Sequence, residues 1–264
     1  MELITSTKNP KVKRLLDIQQ SSKERRASGL FVVEGRRELQ HCLRAGYEVD
    51  TLFDCPDLLN EDGVEGVSLP QQAYAISSAL YERIAYRGTT EGMIALVRAK
   101  GDKDLNALIG PKTPLFIVLE RVEKPGNLGA ILRSADAAGI TGVIVCDPLT
   151  DLYNPNLIRA SLGAIFTVPT VACTSEECID FLKRNRVNVL TAQLQDSHLY
   201  YETDMTKPTA IVMGTESTGL TEQWRRVADA HIRIPMLGQL DSLNVSVSAA
   251  ILMYEAVRQR KALI

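Results

Sequence analysis

The sequence contains no apolar run approaching the roughly 18 residues needed to cross a bilayer. Its first residues, MELITSTKNPKVKR, lack the apolar core of a secretory signal, so a cytoplasmic protein is expected. Aromatic residues are scarce at 5%, with one tryptophan, yet 45% apolar and 23% charged residues are ordinary values for a globular chain. Long disordered tracts are therefore not expected. Histidine occurs only as His41, His198 and His231, and the five cysteines (Cys42, Cys55, Cys146, Cys173, Cys178) form no CxxC pair. Neither a disulfide framework nor a zinc-like ligand spacing is readable, which leaves reduced, mostly buried thiols and no metal. Also missing is a G-x-G-x-x-G string, which speaks against a nicotinamide-dependent enzyme.

What is present is unevenly distributed. The net charge is only −2, but residues 1–46 hold ten Lys/Arg against five acids, an excess of +5 that leaves −7 for the rest. A basic segment on an otherwise acidic chain suits a polyanionic partner, although a solvated helix face produces the same count.

Length allows two compact domains, since the chain has 264 residues. Residues 10–20 place Val12, Leu15, Leu16 and Gln19 at helical spacing after an Asn9-Pro10 start signal, and Gly29 stops the polar stretch that follows. LFVVEG reads as a strand, Arg36 to Ala45 as a helix, and VDTLF as a strand; further helical stretches around 70–85 lead to the strand GMIALVR. This alternation predicts an α/β sandwich over residues 1–98, and the Gly- and Pro-containing stretch 99–112 reads as a linker. From residue 113 to 264 strands and helices alternate again, and the strands are continuous apolar runs, as in a parallel sheet covered on both faces. The last helix is read with Val247, Ala250, Ile251, Tyr254 and Val257 as its apolar stripe.

Three segments carry polar groups at strand-to-helix turns. KPGNLGAILRSA (124–135) follows the strand LFIVLE, and its exposed amides suit an approaching phosphate or ribose. Asn127 serves equally as a helix cap and Arg133 as a surface charge. IVMGTESTGL (211–220) carries Glu216, able to cap a helix, accept from a sugar hydroxyl or orient a base. IPMLGQLDSLNVSVS (234–248) carries Ser242 and Asn244, either of which would also be an ordinary N-cap.

Together, in this order and spacing, the three strings resemble the motifs of the SpoU (TrmH) branch of the SPOUT RNA methyltransferases. The N-terminal part is similar to that family's substrate-binding domain, itself like the kink-turn-binding ribosomal proteins. The resemblance implies a parallel-sheet SPOUT domain with a C-terminal trefoil knot, a homodimer, and S-adenosylmethionine-dependent methylation of a ribose 2′-hydroxyl. Large-subunit rRNA is the favoured substrate, tRNA the alternative, and a non-catalytic RNA-binding assembly factor keeping the fold is the rival from another class. It further implies that Asn127, Arg133, Glu216, Ser242 and Asn244 lie at the catalytic centre. Ala192, Gln193, Gly214, Ile234, Met236 and Leu243 would hold the cofactor. Arg133 would act as base or clamp a substrate phosphate. The basic residues Lys11, Arg14, Arg25, Arg26, Arg36 and Arg37 would grip RNA through phosphates. Lys124, Thr215 and Ser217 depart from the family pattern, which more often has an acid, Asn and Gly there.

Overall fold

The computed structural model describes residues 2–58, 70, 72–86, 91–101, 104–215 and 218–261. They divide into two compact units, residues 1–101 with 151–167, and residues 102–150 with 168–264. The short segment 151–167, assigned from sequence to the C-terminal half, thus packs within the first unit.

The first unit begins with β1 (Glu2–Ile4), α1 (Pro10–Gln20), α2 (Ser22–Ser28), β2 (Leu30–Glu34), α3 (Arg36–Arg44) and β3 (Val49–Asp54). β4 (Gln72–Ile76), α4 (Ser78–Ile84) and β5 (Met93–Arg98) complete a five-stranded mixed sheet of order β1-β4-β3-β5-β2. The Asn9 side chain accepts from the Lys11 amide with Pro10 in the first turn of α1, and Gly29 at φ 64° closes α2 in a left-handed conformation. The helical reading of 70–85 holds only for α4. β4 is a strand because QAYAI pairs in register with β3 and β1, and a five-residue apolar segment does not declare its period alone.

One of the six basic residues expected to face RNA is buried instead. Arg25 is 5% exposed; its Nε donates to Asp151 Oδ2 at 2.5 Å and its Nη1 to the carbonyls of Ile18 and Gln19 at 2.8 and 3.0 Å. The guanidinium is consumed in binding 151–167 to α1 and α2. Its spacing in a basic run could not reveal this, because Asp151 lies 126 residues away. Asp151→Ala, which strands that cation, is expected to cost about 3 kcal/mol of stability, read from urea denaturation.

The second unit opens with β6 (Leu115–Glu120), α5 (Pro125–Ala138) and β7 (Gly142–Cys146). After α6 (Pro155–Ala160) and α7 (Ala164–Thr167), which belong to the first unit, the chain continues with β8 (Thr170–Cys173), α8 (Ser175–Arg184) and β9 (Asn188–Ala192). It ends with β10 (His198–Leu199), β11 (Thr209–Met213), α9 (Glu222–Val227), β12 (Ala230–Arg233) and α10 (Val245–Lys261). The seven strands are all parallel, in the order β10-β12-β9-β11-β6-β7-β8. β6, β7 and β11 are buried along their whole length, as their unbroken apolar runs predict. Strand order reverses between β6 and β11, and in such sheets a crevice opens at the carboxyl ends beside the reversal.

α10 departs from its expected stripe. It buries Val245, Ala249, Leu252, Met253 and Ala256, while Val247 and Tyr254 are about half exposed. The helix carries apolar residues on two faces, so periodicity alone could not select the one that packs on α5.

Candidate active site

Four strand ends converge at the reversal point. Register pairs Leu119 of β6 with Met213 of β11, and Val212 with Thr191 of β9, so the segments after these strands lie side by side. β12 pairs Ile232 with Ala192, which adds the segment 233–236 to the same rim. The turn after β11 is tied by a two-way backbone bridge between Thr215 and Gly219, with N···O distances of 3.3 and 3.1 Å. Thr215 Oγ1 reinforces it by accepting from the Thr218 amide at 3.0 Å. Gly219 has φ 66°, the left-handed region that favours glycine. Gly214 is required for a different reason: a Cβ there would lie 2.3 Å from the Gly219 carbonyl carbon and oxygen.

Around this turn lies a cavity of about 450 Å³, within the range of small-molecule sites. It is lined by Ala192, Gln193, Gly214, Ile234, Met236 and Leu243, the six residues expected around the cofactor, together with Ser242 and Arg225. Gln193 and Arg225 on its wall each carry a buried polar atom, Oε1 and Nε, with no hydrogen-bond partner among the described residues. A buried acceptor and donor left in this state are costly unless a ligand satisfies them.

Gly214, Thr215 and Val245 also line a second cavity of about 170 Å³, whose wall includes Lys124 and Asn127. Asn127 stands in the first turn of α5, and Asn244 Nδ2 donates to its Oδ1 at 3.1 Å. Asn244 Oδ1 accepts from the amide and hydroxyl of Ser246 at 3.0 and 2.6 Å, so the residue starts α10 and tethers Asn127 at once. The cap reading and the site reading of Asn244 are therefore compatible. Ser242 is exposed on the loop before it and donates to Asp241 at 3.2 Å.

Arg133 is not gathered into this arrangement. It lines neither cavity and is exposed on α5, six residues past Asn127 and so about 240° around the helix. Glu216 and Ser217 lie outside the described residues.

Two contributors were not singled out from sequence. Arg225 lies in a short helix, EQWRRV, with no motif of its own. Glu120 ends β6 almost fully buried and accepts from the Thr221 amide and hydroxyl at 2.8 and 2.6 Å, which fixes the start of α9 and hence Arg225. An acid closing an otherwise apolar strand was the available signal.

Of the basic residues expected to meet RNA, Arg14, Arg26 and Arg37 are exposed, and Arg36 is half-buried in the first turn of α3. Lys11 is engaged locally, 2.7 Å from Glu2 Oε2 and 3.7 Å above the Tyr74 ring. Among the described residues no helix is long and apolar enough to cross a membrane.

Comparison with known proteins agrees with this geometry. Residues 114–254 match the SpoU rRNA methylase family, and residues 9–95 match the MRM3-like substrate-binding domain. A 23S rRNA (uridine(2479)-2′-O)-methyltransferase of Streptomyces viridochromogenes is 31% identical over 90% of this chain and 85% of its own length. The crystal structure of an RNA 2′-O ribose methyltransferase superposes with a TM-score of 0.87 at 39% identity, covering 98% of this chain and 99% of that one. The SpoU methyltransferase AviRb of Streptomyces viridochromogenes, in complex with AdoMet, has the same TM-score at 28% identity, covering 97% and 99%. With the motif turns brought together at one sheet reversal and the family matched over more than half its length, the chain belongs to the SpoU rRNA methylase family.

Proposed function

We propose that this protein transfers a methyl group from S-adenosylmethionine to a ribose 2′-hydroxyl of large-subunit rRNA. The observation that carries this reading is the pair of cavities meeting at Gly214, one sized for a small cofactor and one bearing the Asn127–Asn244 pair.

The donor set of the larger cavity fits S-adenosylmethionine. Turned into the cavity, the unpartnered Gln193 oxygen suits an amine or sugar hydroxyl and the Arg225 guanidinium suits a carboxylate, while Met236 and Leu243 offer apolar surface. Ala192, Gln193, Gly214, Ile234, Met236 and Leu243 would hold it. When bound it supplies an activated methyl group, so the chain's own residues have to position the weakly nucleophilic hydroxyl and let its proton leave. Asn127 and Asn244, held to each other, orient the ribose in the smaller cavity, with Ser242 at the rim and Glu216 assigned to the same polar set. Arg133, exposed and away from both cavities, reaches the reaction through the RNA as a bidentate clamp on a phosphate. Arg14, Arg26, Arg36 and Arg37 carry phosphate contacts on the first unit; Arg25 does not.

α10 exposes Val247 and Tyr254, and the loop before it, which lines the cofactor cavity, exposes Leu237 and Leu240 at 96% and 77%. A second copy covering these side chains makes the enzyme a homodimer whose interface adjoins the cofactor site. The C-terminal segment forms the family's trefoil knot, and the enzyme works in the cytoplasm.

The test is methyl transfer from labelled S-adenosylmethionine to rRNA lacking the modification, with the modified nucleotide mapped. Wild-type protein should label one ribose. Arg133→Ala should lose transfer by about 100-fold or more while its cofactor affinity stays within about twofold of wild type. An Arg133→Ala enzyme of wild-type rate overturns the role of Arg133, and absence of any transfer by the wild type overturns the reading as a whole.

A further inference from the structure

Three of the five cysteines, unrelated in sequence spacing, meet in the second unit. Cys146 ends β7, Cys173 ends β8, and the two are register partners across that parallel pair. Cys178 arrives from the first turns of α8, which is fixed by a capping box between Thr174 and Glu177. The three sulfur atoms all lie within 4.8 Å of one another. Cys146 and Cys178 are fully buried, whereas Cys173 is half-buried against a cavity of about 330 Å³. That cavity is walled by the carboxylates of Asp104, Glu177 and Asp180 and a single cation, Arg184. None of these residues lines the two cavities at Gly214.

We propose that Cys146, Cys173 and Cys178 form a three-thiolate site for a divalent thiophilic ion, zinc above all. Points mutually within 4.8 Å lie no farther than about 2.8 Å from a common centre, and zinc–sulfur bonds are about 2.3 Å long, so each sulfur needs to move by about half an ångström. Thiolates select soft, closed-shell ions over magnesium or calcium. The charge count selects a divalent one. Three thiolates leave −1 around a divalent ion and −2 around a monovalent one, and the smaller residual costs less among Val171 and Phe181 of the surrounding core. Among the described residues no His, Asp or Glu joins the group, so the fourth position is left to solvent from the acidic cavity at Cys173. The carboxylates there raise the local cation concentration at the one accessible sulfur. A bound ion braces the edge strand β8 and α8 to the sheet. Sequence spacing argued against any metal because 27 residues separate Cys146 from Cys173; only parallel strand pairing makes them neighbours.

The test uses the full-length, reduced protein. Titration with Cd²⁺ should produce a sulfur-to-metal charge-transfer band that saturates at one ion per chain, and zinc should bind with the same stoichiometry in competition with a chromophoric chelator. Cys173→Ser, at the half-buried position, should weaken binding more than about 100-fold. Cys55→Ala, a buried thiol of the first unit, should leave it unchanged. A wild-type chain that develops no band, or binds only at millimolar metal, overturns the proposal and leaves three thiols packed as small apolar groups. A band that survives in Cys173→Ser overturns it too. Should Cys173→Ser fail to fold by circular dichroism, the wild-type stoichiometry decides alone.

Discussion

Asn244→Asp is expected to lower single-turnover methyl transfer by about 100-fold while thermal stability and cofactor affinity stay close to wild type. The substitution separates the two duties of this side chain. Its Oδ1 accepts from the amide and hydroxyl of Ser246 at the start of α10, and a carboxylate does that equally well. Its Nδ2 donates to Asn127 Oδ1 across 117 residues of sequence, and a carboxylate cannot donate. Two facing acceptors repel, so the Asn127 amide turns over or swings aside, and either way its donor and acceptor no longer point as they did into the smaller cavity, while the helix and the larger cavity persist. Asn244→Ala should lose transfer to the same degree but also about 1 kcal/mol of stability through the lost cap. Wild-type transfer by the Asp variant would show that the Asn127–Asn244 contact has no part in the reaction.

Gly214→Ala should cost about 100-fold or more in S-adenosylmethionine affinity, measured by calorimetry. An added Cβ meets Gly219 backbone atoms at 2.3 Å and the Leu220 amide nitrogen at 2.5 Å, and no rotamer change relieves a clash with backbone. The bridge between Thr215 and Gly219 has to open, and this turn lines both cavities. Overpacking of this kind costs roughly 1–3 kcal/mol or somewhat more, and every 1.4 kcal/mol is tenfold in affinity. Gly126→Ala, in the first motif, is the control: nothing lies within 4 Å of its added Cβ, so affinity should be unchanged. Equal affinities for the two variants would sink the steric account.

Legibility from sequence differed by residue for physical reasons. The turns that carry Asn127 and Gly214 are legible as turns because the carboxyl ends of buried strands are short strings with restricted chemistry. The six cofactor-site residues were named from a family resemblance, since nothing in the local pattern of Ile234 or Met236 distinguishes a cavity wall from a core. Arg225 escaped notice because its importance lies in a missing partner, which a sequence does not display. Arg25 misled because a basic residue in a basic run reads as surface, whereas its carboxylate partner comes from a distant segment. The stripe of α10 misled because a helix apolar on two faces has no unique inward direction.

By itself, the sequence determined the alternation of strands and helices, the parallel character of the second sheet, and the turns that carry polar groups. These follow from periodicity, caps and glycine, which act over a few residues. Only the tertiary structure decided that β11 lies beside β6, that Asn244 holds Asn127, that segment 151–167 belongs with the first unit, and that three cysteines share one point. Each of those depends on contacts between residues tens to hundreds of positions apart, whose pairing is chosen by burial of the whole chain rather than by local preference.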